Sequence, residues 1–361
     1  MSKNKFVLFA GGTGGHVFPA ISFGNFLIKN GYNCTLLLDY RGLKYSNNFK
    51  GKIITISSRH FSGNIFYKIF SFFILIKGFM QSFYFLSKIR PNYCLAFGGY
   101  ASFMPLTVSL IFKIFLSIKI YLHEQNSVLG KVNLFFLPFV NNIFLNFLDV
   151  KKLNKYYHYK TIHVGLPKTK DNFSSINEQN NINDKIKIFV YGGSQGSQNL
   201  NKGFFNLIKK LPNTYENKLS IVIQSSNDFS LGNYEIFERL KIKIESKPFF
   251  ENIDFQLKSS NLVISRSGAG TIDDIITSKT PSILVPLPQA IDNHQYYNAK
   301  YLVDKKAAKI IIEKDLDTND AFNLFIELLN DNNLRLEIVE NLKLINSLDT
   351  CNLMIKKIIN I

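Results

Sequence analysis

Two stretches of this chain are suited to holding an anion. Gly11-Gly-Thr-Gly-Gly15 and Gly192-Gly-Ser-Gln-Gly196 share the form Gly-Gly-(Ser/Thr)-x-Gly. Glycine lets a backbone approach a ligand closely enough for bare amides to bind it, most effectively at the start of a helix. Two further small-residue turns, Gly98-Gly-Tyr-Ala-Ser102 and Ser265-Arg-Ser-Gly-Ala-Gly-Thr271, have the same character. His16 follows the first loop, and an imidazole can take a proton near neutral pH. Asp273 and Asp274 follow Thr271, where a carboxylate inside a helix start can accept hydrogen bonds from ribose hydroxyls. Favourable placement against the helix dipole is the simpler reason for acids there. Glu124, within His123-Glu-Gln-Asn126, is an isolated acid in a very basic half, able to orient a sugar, steady a base or balance local charge. Amide cradles, a nucleoside acid and a base together suit chemistry on a phosphorylated nucleoside. Neither loop has the third glycine of G-x-G-x-x-G, which argues against a dinucleotide enzyme with Asp39 as its ribose acid. Asp315-Leu-Asp317 lies in a polar turn and reads as solvated acids, so no metal site is expected.

These residues need elements to position them. Residues 6–10 form an apolar run of strand length that stops at the glycines, and helical spacing begins near His16. Pro19 is expected in the first helical turn, where no amide is missed, and Gly31 ends the helix. Residues 186–191 repeat the device, with a helix from about Leu200. Matched strand–loop–helix starts about half a chain apart predict an α/β protein of two doubly wound, Rossmann-like domains facing a central cleft. Further strands are expected at 34–39, 53–56, 93–97, 118–122 and 142–147, the last of the first half. In the second half they fall at 219–223, 242–244, 262–264 and 282–285. Helical patterns cover 106–116, 272–276, 322–329 and 334–345. His163-Val-Gly-Leu-Pro167 reads as the crossing and 168–184 as a polar linker. The expected domains are 1–163 and 164–340, with a C-terminal helix at about 341–361 packing back on the first.

Composition limits the function classes. The 361 residues, 46% hydrophobic and 19% charged, describe folded domains rather than a disordered chain. Three scattered cysteines fit a reducing compartment, with Cys34 and Cys94 as small apolar fillers of strands. The apolar run at 6–10 is too short for a signal peptide. Residues 1–163 hold 19 Lys/Arg against three acids, Asp39, Glu124 and Asp149, and the remainder 24 against 23. Nearly all of the net charge of +17 therefore lies in one half, which predicts a polyanionic partner. The Phe-rich stretch 65–86 is interrupted by Lys68, Lys77 and Gly78, so a helix or helical hairpin is expected rather than a membrane span. Its phenylalanines and those of 112–115, flanked by Lys68, Lys77, Lys113 and Lys119, could add apolar insertion to the attraction for anionic lipid. Many of them are also expected in the core. A nucleic-acid-binding module would explain the basic half but not the paired glycine loops, so no nucleic acid is expected.

The motifs Gly11-Gly-Thr-Gly-Gly-His-Val-Phe-Pro19, Gly98-Gly-Tyr-Ala-Ser102, His123-Glu-Gln-Asn126, Val190-Tyr-Gly-Gly-Ser-Gln-Gly196, Arg266-Ser-Gly-Ala269 and His294-Gln-Tyr-Tyr-Asn-Ala299 occur in this order across nearly the whole chain. In this the sequence closely resembles the MurG family of peptidoglycan N-acetylglucosaminyltransferases. The resemblance implies a GT-B fold and an inverting transfer of GlcNAc from UDP-GlcNAc to undecaprenyl-pyrophosphoryl-MurNAc-pentapeptide, lipid I to lipid II. A related transferase with another membrane lipid acceptor is the alternative. It implies donor contacts at Thr13, Gly14, Gly15, Asn126 and Ser194, and Phe250 near the uracil. Ala269, Gly270, Thr271, Ile272, Asp273 and Asp274 would surround phosphate and ribose, with Gln295 near the sugar. Gly98, Gly99, Tyr100, Ser102 and His123 fall to the acceptor. His16 is the implied general base, with binding of the acceptor pyrophosphate as its other role. No cofactor or metal is implied. The implied location is the cytoplasmic face of the inner membrane, peripherally bound to anionic phospholipid, with cell-wall synthesis proteins as further partners. Three positions depart from the family pattern. Asp274 stands for a Glu, position 270 is Gly where a bulkier residue is common, and Gly165-Leu-Pro-Lys-Thr-Lys170 lacks the family's Arg, so either Lys168 or Lys170 stands in its place or that donor contact is lost.

Overall fold

The computed structural model describes residues 4–59, 64–168, 185–193, 196–225, 230–250, 252–345 and 348–359. The chain divides into two compact units, Met1–Asp171 with Leu348–Ile361, and Asn172–Ser347. Ser194 and Lys170 lie outside the described residues. The first unit runs past residue 163 and reclaims the chain end. Residues 341–343 instead finish helix Asn332–Lys343 of the second unit, so the C-terminal helix is Thr350–Ile359 alone.

The first unit is built on strands β1 (Lys5–Ala10), β2 (Asn33–Asp39), β3 (Lys52–Ile56), β4 (Tyr93–Ala96), β5 (Lys119–Glu124), β6 (Asn142–Leu145) and β7 (Thr161–His163). They form one parallel sheet in the order β3-β2-β1-β4-β5-β6-β7. Near-continuous burial along β1 and β4 is what a parallel sheet covered on both faces requires. The β7 strand is a correction to the sequence reading, which ended the half at β6. Its three half-buried residues give too little apolar signal to stand out. The second unit holds β8 (Ile186–Tyr191), β9 (Leu219–Gln224), β10 (Lys243–Lys247), β11 (Leu262–Ser265), β12 (Ser282–Leu284) and β13 (Lys309–Ile310), all parallel, in the order β10-β9-β8-β11-β12-β13. The two-residue β13 was equally invisible to periodicity. In each unit the sheet grows in both directions from its first strand, the doubly wound arrangement.

The first helix, Gly14–Lys29, starts two residues earlier than expected and buries Val17, Ala20, Phe23 and Leu27 on the sheet. Pro19 therefore lies in the second turn, not the first. Its missing N–H leaves the carbonyl of exposed Gly15 to solvent, which limits the cost. The closing helix Thr350–Ile359 buries Cys351, Met354, Ile355 and Ile358 in the same apolar cluster as Phe6, Leu8 and Phe23. Tyr121 Oη donates to the Ile358 carbonyl at 3.2 Å, and Thr350 Oγ1 to the Val164 carbonyl at 2.7 Å. Cys34 and Cys94 are buried within β2 and β4.

The Phe-rich stretch forms one helix, Ile65–Ile89, not a hairpin. It is long and apolar enough to cross a membrane by length and composition. Its amphipathicity is inverted. Ser71, Gly78, Ser82 and Leu86 face inward, while Phe66 is 77% and Phe73 63% exposed, with Phe70, Phe72, Met80 and Tyr84 exposed beside them. The expectation that many of these phenylalanines are core does not hold on this helix. Gly78 explains the seating: a Cβ there would lie 2.1 Å from the Ser57 carbonyl oxygen, so the helix rests on backbone. Gly78→Ala is expected to cost ~1–3 kcal/mol through overpacking. Urea unfolding of the full chain checks this, and an unchanged midpoint would show that the helix is not seated there.

Candidate functional site

Each unit gathers its site residues beyond the carboxyl ends of its strands, the usual place for ligands in open α/β sheets. In the first unit, β1 ends at Ala10 and the glycine loop turns into helix Gly14–Lys29, whose N-cap Thr13 makes no side-chain capping bond. The leading amides of a helix have no intrahelical partner, so those of Gly14 and Gly15 are available to an anion. Asp39, at the end of β2, braces the loop. Its Oδ1 accepts from the amides of Gly12 at 2.8 Å and Gly42 at 3.0 Å, and its Oδ2 from Arg41 Nε at 2.8 Å and Ser58 Oγ at 3.3 Å. With four donors in place, Asp39 has no capacity left to serve as a ribose acid.

His16 is half-buried, and its Nδ1 lies 3.0 Å from Gln125 Oε1. Gln125 Nε2 lies 3.1 Å from His123 Nδ1, and His123 Nε2 3.0 Å from the Gly165 carbonyl. A carbonyl only accepts, so His123 carries its proton on Nε2 and its Nδ1 accepts from the Gln125 amide. That fixes the Gln125 oxygen toward His16. His16 in turn carries its proton on Nδ1, and its Nε2 lone pair is left to act as a base. Gly98 and Gly99, both at positive φ, curve around this ring. A Cβ on Gly99 would stand 3.2 Å from His16 Cδ2. Ser102 Oγ closes the turn on the Gly98 carbonyl at 2.7 Å.

Two expectations change. His123 is fully buried, stacks on Phe97 at 5.4 Å and is pushed down to about 4 by desolvation, so it stays neutral and is a support rather than an acceptor contact. Glu124 is 2% exposed. Its carboxylate accepts from the Asn126 amide at 3.1 Å, the Gly130 amide at 2.9 Å and Asn133 Nδ2 at 2.9 Å. It therefore shapes the loop that carries Asn126, and Gln125 is the residue that meets His16. Sequence reasoning overlooked Gln125, although extending the alternation of β5 one residue past its end puts 123 and 125 on one side of the chain and 124 on the other.

In the second unit, β11 ends at Ser265 and helix Ala269–Ser278 follows, with Gly268 as an N-cap that makes no side-chain capping bond. Among the described residues nothing stands within 4 Å of where a Cβ would project from Gly268 or Gly270, so they leave the helix start open. Arg266 lies buried beneath it, donating to Ser197 Oγ at 2.7 Å and to the Val285 and Pro286 carbonyls, and paired with Glu313. Gln295 Oε1 accepts from the amides of Ser267 at 3.3 Å and Leu287 at 3.0 Å, which leaves its Nε2 group to donate elsewhere. Asp273 and Asp274 occupy the second turn, not the first as expected, and are half-buried. The dipole benefit fades beyond the first turn, so placement alone explains them less well than it did. Ile272 is buried, and its amide is spent on the Gly268 carbonyl at 3.0 Å, which excludes it as a phosphate contact. The Phe250 ring is core, edge-on to Phe189 at 5.5 Å, so only its backbone is free to meet a base. Asp317 accepts from Asn206 Nδ2 at 2.7 Å in an exposed turn, as expected of a solvated acid.

A family model described as the glycosyltransferase family 28 N-terminal domain matches residues 6–145, and one described as its C-terminal domain matches 187–341. A Rickettsia felis protein named UDP-N-acetylglucosamine--N-acetylmuramyl-(pentapeptide) pyrophosphoryl-undecaprenol N-acetylglucosamine transferase is 35% identical over 350 residues, spanning 94% of each chain. A Rickettsia canadensis protein of the same name is 36% identical over 345 residues, again spanning 94% of each. The crystal structure of Acinetobacter baumannii MurG superposes with a TM-score of 0.79 at 21% identity, covering 99% of this chain and 100% of that one. Its likeness is one of fold, and the paired Rossmann-like sheets are those of the GT-B class.

Burial of His123 has a consequence for stability. Its folded pKa of about 4 lies below the ordinary 6.5, so between these values the unfolded chain binds a proton that the folded chain refuses. The contribution of the neutral ring is complete above about pH 6.5 and is lost as pH falls toward 4, by up to ~3 kcal/mol. His123→Gln is expected to flatten this part of the pH–stability curve in urea titrations. Parallel curves for variant and wild type would contradict the assignment.

Proposed function

The chain belongs to the UDP-N-acetylglucosamine--N-acetylmuramyl-(pentapeptide) pyrophosphoryl-undecaprenol N-acetylglucosamine transferases of glycosyltransferase family 28, and from that membership we propose that it moves GlcNAc from UDP-GlcNAc to undecaprenyl-pyrophosphoryl-MurNAc-pentapeptide. The observation that carries the chemistry is the His16–Gln125 contact at 3.0 Å, which directs a basic Nε2 away from the support. His16 takes the proton of the acceptor hydroxyl as that oxygen bonds to the anomeric carbon. The bond from that carbon to the diphosphate breaks on the opposite face, which inverts the centre, and UDP leaves. Charge building on the leaving phosphate is met by the amides of Ala269, Gly270 and Thr271 at the open helix start. Asp274, with Asp273 beside it, accepts from ribose, and Gln295 Nε2 donates to the sugar. Thr13, Gly14, Gly15, Asn126 and Ser194 complete the donor contacts, with Phe250 adjoining uracil through its backbone. Gly98, Gly99 and Tyr100 serve the acceptor. Glu124, His123 and Ser102 are positioning residues.

The test is transfer from radiolabelled UDP-GlcNAc to a soluble lipid I analogue in EDTA. Wild type is expected to transfer. His16→Ala should lower kcat roughly 10²–10⁴-fold while donor affinity holds. A KM effect on acceptor alone would assign His16 to the pyrophosphate instead. Asp274→Ala should weaken UDP-GlcNAc by ~1.5–3 kcal/mol with acceptor KM unmoved. Absence of transfer by wild type would overturn the reading.

The same reading puts the protein on the cytoplasmic face of the inner membrane, since the undecaprenyl tail holds the acceptor in the bilayer. Support comes from the exposed aromatic face of Ile65–Ile89, joined through Phe83–Phe112 contact at 5.0 Å to helix Phe103–Phe115 with its exposed Ile114 and Phe115. Exposed Lys68 and Lys113 flank these rings. Each basic residue near an anionic surface contributes ~1 kcal/mol, so a few suffice for reversible docking. Flotation with anionic vesicles is expected to carry the full chain, to weaken with salt, and to fall several-fold in Lys68→Glu/Lys113→Glu. Equal binding to neutral vesicles, or none at low salt, would defeat it.

A further inference from the structure

A cavity of about 940 Å³ opens in the first unit beside the glycine loop, between the end of β3 and helix Ile65–Ile89. Its volume lies at the upper end of the ~300–1,000 Å³ typical of ligand sites. Arg41, Arg59 and Lys77 line it together with Tyr67, Ser58 and Gln81. Asp39 is the one acid in the lining, and it is already neutralised by Arg41 at 2.8 Å. Arg59 and Lys77 have no acidic partner among the described residues. The Arg59 guanidinium lies 4.9 Å from the Phe70 ring centre and 5.7 Å from that of Tyr67, which preorganises its donor fork. Nothing in the reaction described above uses this cavity.

Resting on the transferase reading, we infer that this cavity receives the peptide stem of the acceptor and holds it by its carboxylates. A peptide joined to the sugar through its amine end keeps its terminal carboxylate and has no terminal ammonium, so it presents net negative charge to the two unpaired cations. In a muramyl sugar the lactyl ether that carries the peptide and the accepting hydroxyl sit on one six-membered ring. The stem therefore begins within several Å of the base. The cavity is placed to meet it, because Arg41 Nη2 lies 3.8 Å from where a Cβ would project from Gly12, inside the loop that precedes His16. Hydroxyl and amide groups from Ser58, Tyr67 and Gln81 add neutral hydrogen-bonding capacity suited to a peptide backbone. A lone phospholipid headgroup would use the cations but little of the remaining polar lining.

The experiment compares two soluble acceptor analogues, one bearing the peptide stem and one ending at the lactyl amide, with the full-length protein. Wild type is expected to favour the stemmed analogue in kcat/KM, and Arg59→Gln/Lys77→Gln to shrink that preference at least tenfold. Arg59→Lys/Lys77→Arg should restore most of it, which separates charge recognition from loss of fold. Fluorescence anisotropy of a labelled N-acetylmuramyl-pentapeptide without lipid gives a second readout that needs no turnover. Binding lost in the neutral variant and regained in the conservative one supports the site even if no transfer occurs, the result that would count against the transferase reading alone. A wild type indifferent to the stem, or an unchanged preference in the neutral variant, would overturn the inference. So would a defect confined to flotation on anionic vesicles, which would assign the cations to a phospholipid headgroup.

Discussion

The carbonyl of Gly165 sets the protonation of a ring two side chains away. A buried polar group without a partner costs roughly 1–3 kcal/mol, so each member of the chain from Gly165 through His123 and Gln125 to His16 is forced into the one donor–acceptor pattern that satisfies its neighbours. The pattern begins at an acceptor that cannot change role and ends at a basic nitrogen. Anchoring of the first member falls to the closing helix. Thr350 Oγ1 donates to the neighbouring Val164 carbonyl at 2.7 Å, and a Cβ on Gly165 would come within 2.8 Å of that same hydroxyl. The last helix of the chain thus helps to fix the tautomer of a residue in the first.

The acids of the first unit show how its charge is used. Of three in residues 1–163, Asp39 and Glu124 are buried and bound to loop amides, and Asp149 pairs at the surface with Lys151 at 3.0 Å. A charged acceptor makes stronger hydrogen bonds to backbone amides than a neutral one, so two carboxylates suffice to hold the glycine loop and the 124–130 loop in shape. Their burial leaves the lysines and arginines with little acidic company on the surface. The field of this unit is more positive toward a partner than its formal balance states.

Much of this was legible in the sequence because strand and glycine loop are local patterns. An apolar run halted by glycines identified β1 and β8 with their loops, and helical spacing found several helices to within a few residues while missing Lys131–Phe136, Ser230–Arg239, Ile253–Lys258 and His294–Val303. What escaped depended on partners distant in sequence. The β7 and β13 strands are too short to carry a period, and they exist because β6 and β12 present edges to them. Glu124 drew notice as an acid in a basic half, yet its role depends on Gly130 and Asn133. Gln125 has no distinctive chemistry until His123 and His16 are placed on either side of it. Phe250 shows the same limit from the other side: its position beside a base could be named from the sequence, but that its ring packs on Phe189 could not.

The inverted helix Ile65–Ile89 follows from a packing constraint, and the constraint explains why its aromatic face stays open. Gly78 sits against the Ser57 carbonyl, and the Ser57 amide donates to Gln81 Oε1 at 2.7 Å, so the helix is keyed to the end of β3 at two adjacent points. Ser82 turns its hydroxyl back onto the Gly78 carbonyl at 2.7 Å, satisfying that group within the helix and keeping the contact face small. Rolling the helix to bury Phe70 and Phe73 would replace this thin face with rings several Å deeper and break both contacts. Close seating on β3 and burial of the aromatics are mutually exclusive. The sequence keeps the seating, and the apolar area left outside exceeds what scattered surface residues would explain. The edge of the peptide-stem cavity is formed by the same helix, through Tyr67 and Lys77. One rigid element therefore carries both the exposed aromatic face and, at its edge, a cation of the cavity rim, as suits an enzyme whose acceptor is both lipid-anchored and acidic.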